Sequence, residues 1–209
     1  MIKIKLLFFL GFILLLSAGC SSRKEETSSA KCRTAPLENN ISACPDNNTS
    51  PHSKTLEHTM ILKGINEATH DALVETDRFI FNDVKAPVLL VNFFSTWCPT
   101  CRGEIPYFED LQKKYKNELF IAGILVNDDA NTTELKTFAD TYHAHYFISN
   151  DPKNRYVTAK VRAALNLDEN FTLPLTVLYR YGKYYTHYEG AVPVEMIDHD
   201  IRTALGLKE

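Results

Sequence analysis

The sequence predicts an α/β fold in which helices lie on both faces of a mixed central sheet. Two near-continuous apolar runs, VLLVNFF at 88–94 and LFIAGILV at 119–126, are typical of strands that are buried on both faces. A segment with apolar residues at helical spacing follows each run. Two further strand-like segments, 175–181 and 183–188, meet at a Tyr-Gly turn and indicate a β-hairpin. Strands that alternate with helices and then end in a hairpin and a last helix predict this architecture.

The other elements complete this pattern along the chain. Residues 59–65 predict a strand, and the stretch from 69 to 87 predicts a short strand and a turn. A helix is expected from Pro99 to about Lys116, because proline is well suited to the first helical turn, where its missing N–H would have no partner. The remaining predicted elements are helices at 132–143, 153–165 and 194–205, the last ended by Gly206, and a short strand at 145–149.

The amino-terminal residues predict export from the cytoplasm. Two lysines precede an apolar run at 6–16, and small residues then lead to Cys20, as in a secretory signal. The run is shorter than the roughly 20 apolar residues of a membrane-spanning helix, and an uncleaved anchor is the alternative. Residues 21–55 are polar, without apolar periodicity, and predict a flexible linker. The rest, 56–209, has the size of one domain.

The residues before Cys20, Ser-Ala-Gly, resemble the lipobox of bacterial lipoproteins. In that family the cysteine is lipidated and becomes the first residue of the mature chain. The resemblance implies a protein held by a lipid anchor at Cys20 on the periplasmic side of a bacterial membrane. A signal peptide would then occupy residues 1–20.

Composition and cysteine count narrow the classes of function. The formal net charge is −3, and no basic stripe is present, which argues against nucleic-acid binding. Export places the protein in an oxidising compartment, where disulfides persist. Apart from Cys20, the chain has an even number of cysteines. Cys32 and Cys44 flank a polar segment and are expected to form a structural disulfide with each other, or alternatively an auxiliary redox pair.

The segment FFSTWCPTCRGEIPYF at 93–108 contains a CxxC pair, Cys98 and Cys101. The pair lies where a predicted buried strand turns into a helix, so that the helix start favours the Cys98 thiolate and lowers its pKa. Cys101 lies one turn further on, within reach for a disulfide. An exposed attacking thiol with a buried resolving thiol is the arrangement required for thiol-disulfide exchange. Half of a zinc site and a purely structural bridge are the alternatives.

The stretch LLVNFFSTWCPTCRGEIPYFEDL resembles the active-site segment of the membrane-tethered thioredoxin-like proteins of bacteria, the TlpA, ResA and DsbE (CcmG) group. The resemblance covers about residues 56–207, and most of the matching residues lie within 87–111. It implies a thioredoxin-like fold and delivery of reducing equivalents outside the cytoplasm. The CPTC motif resembles the DsbE branch in particular, which serves cytochrome c maturation.

The resemblance assigns roles to the residues of this segment. It implies that Cys98 is the attacking thiol, that Cys101 is the resolving thiol and that Trp97 packs beside the pair. Glu104 matches the buried acid of the ResA-like proteins, while Asn92 stands where cytoplasmic thioredoxins have a buried aspartate. A carboxyl group near the resolving thiol can take up its proton. The other interpretation of Glu104 is a glutamate on the helix surface.

A second segment, FTLPLT, carries the other part of the resemblance. Pro174 matches the cis-proline that faces the CxxC pair in this fold, and Leu173 precedes it. A cis bond here would leave the Leu173 backbone free to pair with an extended substrate. Trp97, Leu173 and Pro174 are therefore the expected substrate-binding residues.

Together these features predict an extracytoplasmic thiol-disulfide oxidoreductase, acting as a reductase of protein disulfides. Its expected partners are protein thiols and disulfides, with apocytochrome c as one candidate, and a membrane electron donor of DsbD or CcdA type. No cofactor or metal is required by this chemistry. A disulfide oxidase or isomerase is the enzymatic alternative, and a copper or thiol chaperone on the same fold is the non-enzymatic one.

Four asparagines lie in the pattern Asp/Glu-x-Asn-x-Ser/Thr, an extended form of the N-x-S/T acceptor used by some bacteria for glycosylation. The alternative is that asparagine and threonine cluster in loops for other reasons. Modification is expected first at the two sites in the linker. The four candidate residues are Asn40, Asn48, Asn131 and Asn170.

Overall fold

Two β-sheets and four helices form the part of the chain that the structure, a computed structural model, describes, residues 59–208. The strands are β1 Thr59–Lys63, β2 Thr69–Val74, β3 Phe79–Phe81, β4 Val88–Phe94, β5 Leu119–Leu125, β6 Phe147–Ser149, β7 Leu175–Arg180 and β8 Lys183–Glu189. The helices are α1 Pro99–Tyr115, α2 Thr132–Tyr142, α3 Asn154–Ala164 and α4 Val194–Leu205. None of them is long and apolar enough to cross a membrane.

The central sheet has five strands in the order β6-β5-β4-β7-β8. Strand β4 pairs in parallel with β5, which pairs in parallel with β6. On the other side β4 pairs antiparallel with β7, and β7 with β8. The sheet is therefore mixed, as the sequence predicts, and β4 lies at its centre with every residue buried.

The core lies in two layers, one on each face of this sheet. On one face α1, α2 and α4 contribute buried side chains, among them Ile105, Leu135 and Ile201. On the other face α3 packs with Val157 and Val161, and the small sheet of β1, β2 and β3 covers the rest. Helices therefore lie on both faces, which confirms the predicted fold class.

The stretch from 69 to 87 differs from the expectation of one short strand and a turn. It forms two strands, β2 and β3, which join β1 in a three-stranded antiparallel sheet. Strand β3 has only three residues, Phe79, Ile80 and Phe81, too few to show a strand periodicity in sequence. Its two phenylalanines are buried against the central sheet, so tertiary packing stabilises this strand.

The hairpin between β7 and β8 turns at Tyr181 and Gly182, both of which have positive φ, +49° and +77°. Two consecutive positive φ values define the turn type that suits a two-residue hairpin. The Gly182 carbonyl accepts a hydrogen bond from the Phe79 amide at 2.8 Å, so this turn also holds β3. A Cβ atom at Gly182 would lie 2.1 Å from Cγ2 of Ile80.

Gly182→Ala is expected to destabilise the protein by about 2–4 kcal/mol, because the methyl group meets Ile80 and the residue must keep a left-handed conformation. Urea denaturation of the purified protein measures this. Gly103→Ala is the matched control: a Cβ atom there meets nothing within 4 Å, and the position lies inside α1. The control should gain roughly 0.5–1 kcal/mol. Equal effects at the two glycines would contradict the role of the turn.

Candidate active site

The segment between β4 and α1 is held by the loop that follows β5. The backbone amide and the hydroxyl of Thr96 both donate to one carboxylate oxygen of Asp128, at 2.6 and 2.7 Å. The Trp97 indole N–H donates to the Asn127 carbonyl at 3.0 Å, and the hydroxyl of the buried Ser95 donates to the Val126 carbonyl. These contacts fix the chain just before the first cysteine.

Cys98 and Cys101 form a disulfide at the start of α1, with their Cα atoms 5.3 Å apart. Cys98 is the N-cap of the helix, and its Sγ accepts a hydrogen bond from the Cys101 amide at 3.2 Å. The hydroxyl of Thr100 lies 3.2 Å from the same sulfur. In the reduced protein the Cys101 amide would favour a Cys98 thiolate, because it stabilises the charged form, and so would the Thr100 hydroxyl once its proton turns from the Leu173 carbonyl to the sulfur.

Cys98 is less accessible than the sequence predicts. We expected an exposed attacking thiol, but Cys98 is only 3% exposed and Cys101 only 1%. Both belong to the core cluster beneath α1, and Leu173 packs against that cluster. The prediction rested only on the position of Cys98 at the helix start. It could not include the packing of Leu173 against the same core cluster, because Leu173 lies 75 residues further along the chain.

The Leu173–Pro174 peptide bond is cis, as expected. The Leu173 carbonyl lies 3.4 Å from the Thr100 hydroxyl, so this segment faces the first turn of α1. Pro174 is buried, and its carbonyl accepts a hydrogen bond from the Gly190 amide at 2.8 Å. The structure thus brings the predicted proline loop next to the CxxC motif.

Trp97 lies on the surface beside the pair, with 60% of its accessible area exposed. Its indole N–H donates a hydrogen bond to the Asn127 carbonyl, and this bond holds the ring in place. A rigid exposed aromatic next to a reactive group is a suitable contact for a polypeptide substrate.

Glu104 is buried one helical turn after Cys101, with only 5% of its accessible area exposed. One carboxyl oxygen accepts a hydrogen bond from the Val192 amide at 3.4 Å, and the other has no partner. Burial raises the pKa of Glu104 to about 7, while the Val192 amide acts in the opposite direction. Glu104 is therefore buried, as the resemblance implies, and does not lie on the helix surface. A carboxyl group with this pKa can both hold and release a proton near neutral pH.

Asn92 lies in the buried strand β4, where cytoplasmic thioredoxins have an aspartate. Its Nδ2 donates to the Thr176 hydroxyl at 2.9 Å, and its Oδ1 has no partner. The uncharged amide therefore links β4 to β7. It leaves Glu104 as the buried carboxyl group closest in sequence to the resolving cysteine.

Several predicted residues lie away from this site or outside the described part of the chain. Asn131 is the exposed N-cap of α2, and its Oδ1 accepts from the Thr133 and Glu134 amides. Asn170 is exposed in the segment before Leu173. Outside residues 59–208 lie Cys20, Cys32, Asn40, Cys44 and Asn48, whose predicted roles stay predictions.

Sequence reasoning missed two contributors to the site, Thr100 and Asp128. Thr100 lies within the CPTC motif, and its position after an N-cap cysteine is the only sequence signal of its contact with the sulfur. Asp128 follows β5, and only the pairing of β4 with β5 places it beside Thr96. Within residues 59–208 no three His, Cys, Asp or Glu side chains are grouped to hold a metal ion.

The fold and the site define a class of protein: a thioredoxin-like domain with a CxxC disulfide at the start of the helix after its central strand. The sequence profile of the Redoxin family matches residues 66–178, more than half of the 209-residue chain. The chain belongs to the Redoxin family.

Two curated relatives of this chain have names that refer to thioredoxin or to thiol-disulfide chemistry. It is 36% identical over 72 residues to the thioredoxin-like protein YneN of Bacillus subtilis, covering 34% of this chain and 42% of the relative. It is 29% identical over 90 residues to the thiol-disulfide oxidoreductase ResA of Oceanobacillus iheyensis, covering 43% of this chain and 44% of that protein. The chain therefore spans less than half the length of these curated relatives.

A solved structure confirms the fold. The thiol:disulfide interchange protein, a thioredoxin family protein from Chlorobium tepidum TLS, matches with a TM-score of 0.58 at 21% identity. The match covers 71% of this chain and 94% of that chain. The predicted thioredoxin-like fold is thereby confirmed.

The raised pKa of Glu104 predicts a pH-dependent cost in stability. Between pH 4.5, the ordinary pKa, and about pH 7, the folded protein keeps a proton that the unfolded chain has lost. The contribution of Glu104 to stability therefore falls as the pH rises through this window, by about 3 kcal/mol in total. Glu104→Gln should accordingly be more stable than the parent at about pH 8 and similar to it at about pH 4.5.

Urea denaturation of the oxidised protein at the two pH values measures this difference. Glu118→Gln is the matched control, because it makes the same substitution at an exposed position. A Glu104→Gln effect that does not change with pH would mean that the carboxyl group ionises normally in the fold.

Proposed function

We propose that this protein is an extracytoplasmic thiol-disulfide oxidoreductase that reduces disulfides of other proteins through Cys98 and Cys101. The observation that carries the proposal is the Cys98–Cys101 disulfide at the N-terminus of α1, where the Cys98 sulfur receives the Cys101 amide. The names of the relatives support it, since ResA is a thiol-disulfide oxidoreductase by name.

In the first step the Cys98 thiolate attacks one sulfur of a substrate disulfide. A bond forms between Cys98 and that sulfur, the substrate S–S bond breaks, and the departing sulfur leaves as a thiolate that takes a proton from water. The Cys101 amide and the Thr100 hydroxyl stabilise the attacking thiolate. The product of this step is a mixed disulfide.

In the second step Cys101 resolves the mixed disulfide. Glu104 in its ionised form accepts the proton of the Cys101 thiol, and the Cys101 thiolate then attacks the sulfur of Cys98. The Cys98–Cys101 bond forms, the bond between Cys98 and the substrate sulfur breaks, and this sulfur leaves as a thiolate that takes a proton from water, while Glu104 later returns its proton to water. Two electrons have passed from the dithiol to the substrate, and a membrane electron donor of DsbD or CcdA type would restore the dithiol.

Substrate binding is assigned to Trp97, Leu173 and Pro174. The exposed indole of Trp97 offers an apolar surface, and the half-buried Leu173 lies against the first turn of α1. An extended polypeptide between these two segments would present its disulfide to Cys98. Such contacts with main chain and apolar side chains suit several substrates, and apocytochrome c is one candidate.

The proposed location rests on the amino-terminal sequence. The export signal and the lipobox-like residues before Cys20 support a lipid anchor on the periplasmic side of a bacterial membrane. The polar linker would carry the structural disulfide between Cys32 and Cys44, and glycans at Asn40 and Asn48. Both modifications suit a segment outside the cytoplasm.

One observation favours an oxidase as the second candidate. The donors at the Cys98 sulfur stabilise the reduced thiolate form, and this stabilisation makes a disulfide more oxidising. Equilibration of the purified protein with glutathione buffers decides between the two directions. A potential near about −270 mV supports the reductase, and one near about −120 mV supports the oxidase.

Cys101→Ser should trap a mixed disulfide between Cys98 and substrate, because no resolving thiol remains. Non-reducing gels of the membrane fraction, followed by mass spectrometry of the trapped proteins, detect this complex. Cys98→Ser is the control and should trap little, since Cys98 is the sulfur at the helix N-cap that the Cys101 amide contacts. Equal trapping by the two variants would contradict the assignment of Cys98 as the attacking thiol.

Thr100→Val should raise the pKa of the Cys98 thiol by roughly one unit, because valine has a shape similar to that of threonine but has no hydroxyl group to stabilise the thiolate. The rate of iodoacetamide labelling of the reduced protein as a function of pH measures the change. Thr141→Val is the matched control, since the Thr141 hydroxyl donates to a helix carbonyl of α2 at 2.7 Å. A Thr100→Val profile like that of the parent would remove Thr100 from the mechanism.

A further inference from the structure

Three buried polar atoms without a partner lie on the α1 face of the central sheet: Oδ1 of Asn92, and two that belong to ionisable groups, the second oxygen of Glu104 and the hydroxyl of Tyr146. Tyr146 is 6% exposed and immediately precedes β6. A buried polar atom without a hydrogen bond is costly, and three such atoms on one face of a core require an explanation.

Packing places the Tyr146 ring under the part of α1 that carries Glu104. Phe108 lies one turn after Glu104, and its ring centroid is 6.4 Å from that of Tyr146, edge to face. On the sheet side the ring lies over Gly123 of β5, where a Cβ atom would come within 3.3 Å of Tyr146 Cε2. The missing side chain of Gly123 thus provides the space that the tyrosine ring occupies.

The charges that act on the Tyr146 hydroxyl also place this side chain near Glu104. Burial raises the pKa of Tyr146, and the nearby negative charges of Glu104 and then Glu109 raise it further. Tyr146 therefore stays neutral and acts as a hydrogen-bond donor at physiological pH. Glu109 already accepts the His145 amide at 2.9 Å and pairs with Lys113 at 3.2 Å. Glu104 is the carboxyl group that still has a free oxygen.

Other groups lie on the same face of the sheet as this carboxyl group. Cys101 precedes it on α1, and the Val192 amide reaches it from the loop between β8 and α4. From β4, Asn92 lies on the α1 face, since the flanking residues at 90 and 94 belong to the core beneath α1. The Asn92 amide group carries no charge.

We propose that Tyr146 is a positioning residue for Glu104: its hydroxyl, which does not touch the second carboxyl oxygen directly, reaches it through one water molecule and holds the group ready for proton exchange with Cys101. The role in exchange rests on the proposed function, whereas the hydrogen bond itself does not. A donor to the ionised carboxylate stabilises its charged form. The pKa of Glu104 is therefore lower with Tyr146 present than it would be with burial alone.

Tyr146→Phe removes the donor and keeps the ring. Its expected effect is a rise of the Glu104 midpoint by about one pH unit, measured by NMR titration of the carboxyl carbon in the oxidised protein. Tyr179→Phe is the matched control, because Tyr179 is equally buried, at 4% exposed, but lies in the core on the opposite face of the sheet. The control should leave the midpoint unchanged. A residue that acts only through packing would not move this midpoint.

The exchange reaction supplies a second readout. The rate of the resolving step with a model disulfide should show the same upward shift of its pH midpoint in Tyr146→Phe. If the parent protein exchanges no disulfide while the Glu104 shift is found, the proposed function fails and the hydrogen bond stands. If exchange is normal and the midpoint in Tyr146→Phe equals that of the parent, the positioning role is wrong.

A measurement on the unaltered protein covers the case in which the variant does not fold. The chemical shift of the Tyr146 ring carbon that bears the hydroxyl should titrate with the Glu104 midpoint, since one water molecule would link the two groups. The same carbon of Tyr179 should show no change at that pH. A Tyr146 signal that is flat across the Glu104 titration would overturn the proposal.

Discussion

The burial of β4 on both faces is the constraint on which the rest of the site depends. Every residue of Val88–Phe94 is buried, and the strand is paired with β5 on one side and β7 on the other. A central strand held in this way cannot shift its register without turning its apolar side chains to the wrong face. The end of β4, and hence the position of Cys98 four residues later, is therefore fixed by the core.

The site itself combines segments that are distant in the chain. The loop after β5 holds Thr96 and Trp97, and the segment at 173–174 reaches the first turn of α1 through Thr100. The same arrangement buries both sulfur atoms of the disulfide pair almost completely. The disulfide is thus shielded by the fold, and Trp97 is an exposed aromatic side chain next to it in the chain.

The apolar core contains several buried polar atoms that have no hydrogen-bond partner. Asn92, Glu104 and Tyr146 each keep a buried atom without a partner, and all three lie on the face covered by α1. Such groups reduce stability, and proteins retain them mainly where chemistry needs them. They lie on the same face of the central sheet as the Cys98–Cys101 disulfide.

Sequence alone determined the fold class, the bounds of most helices and strands, and the CxxC pair, because apolar periodicity and helix-start chemistry are local properties. Resemblance added Glu104 and Pro174, whose burial and cis bond the structure confirms. Only the tertiary structure decided the three-stranded sheet and the low exposure of Cys98. It also decided the contacts of Thr100 and Tyr146, because each depends on segments brought together from distant parts of the chain, which no local pattern encodes.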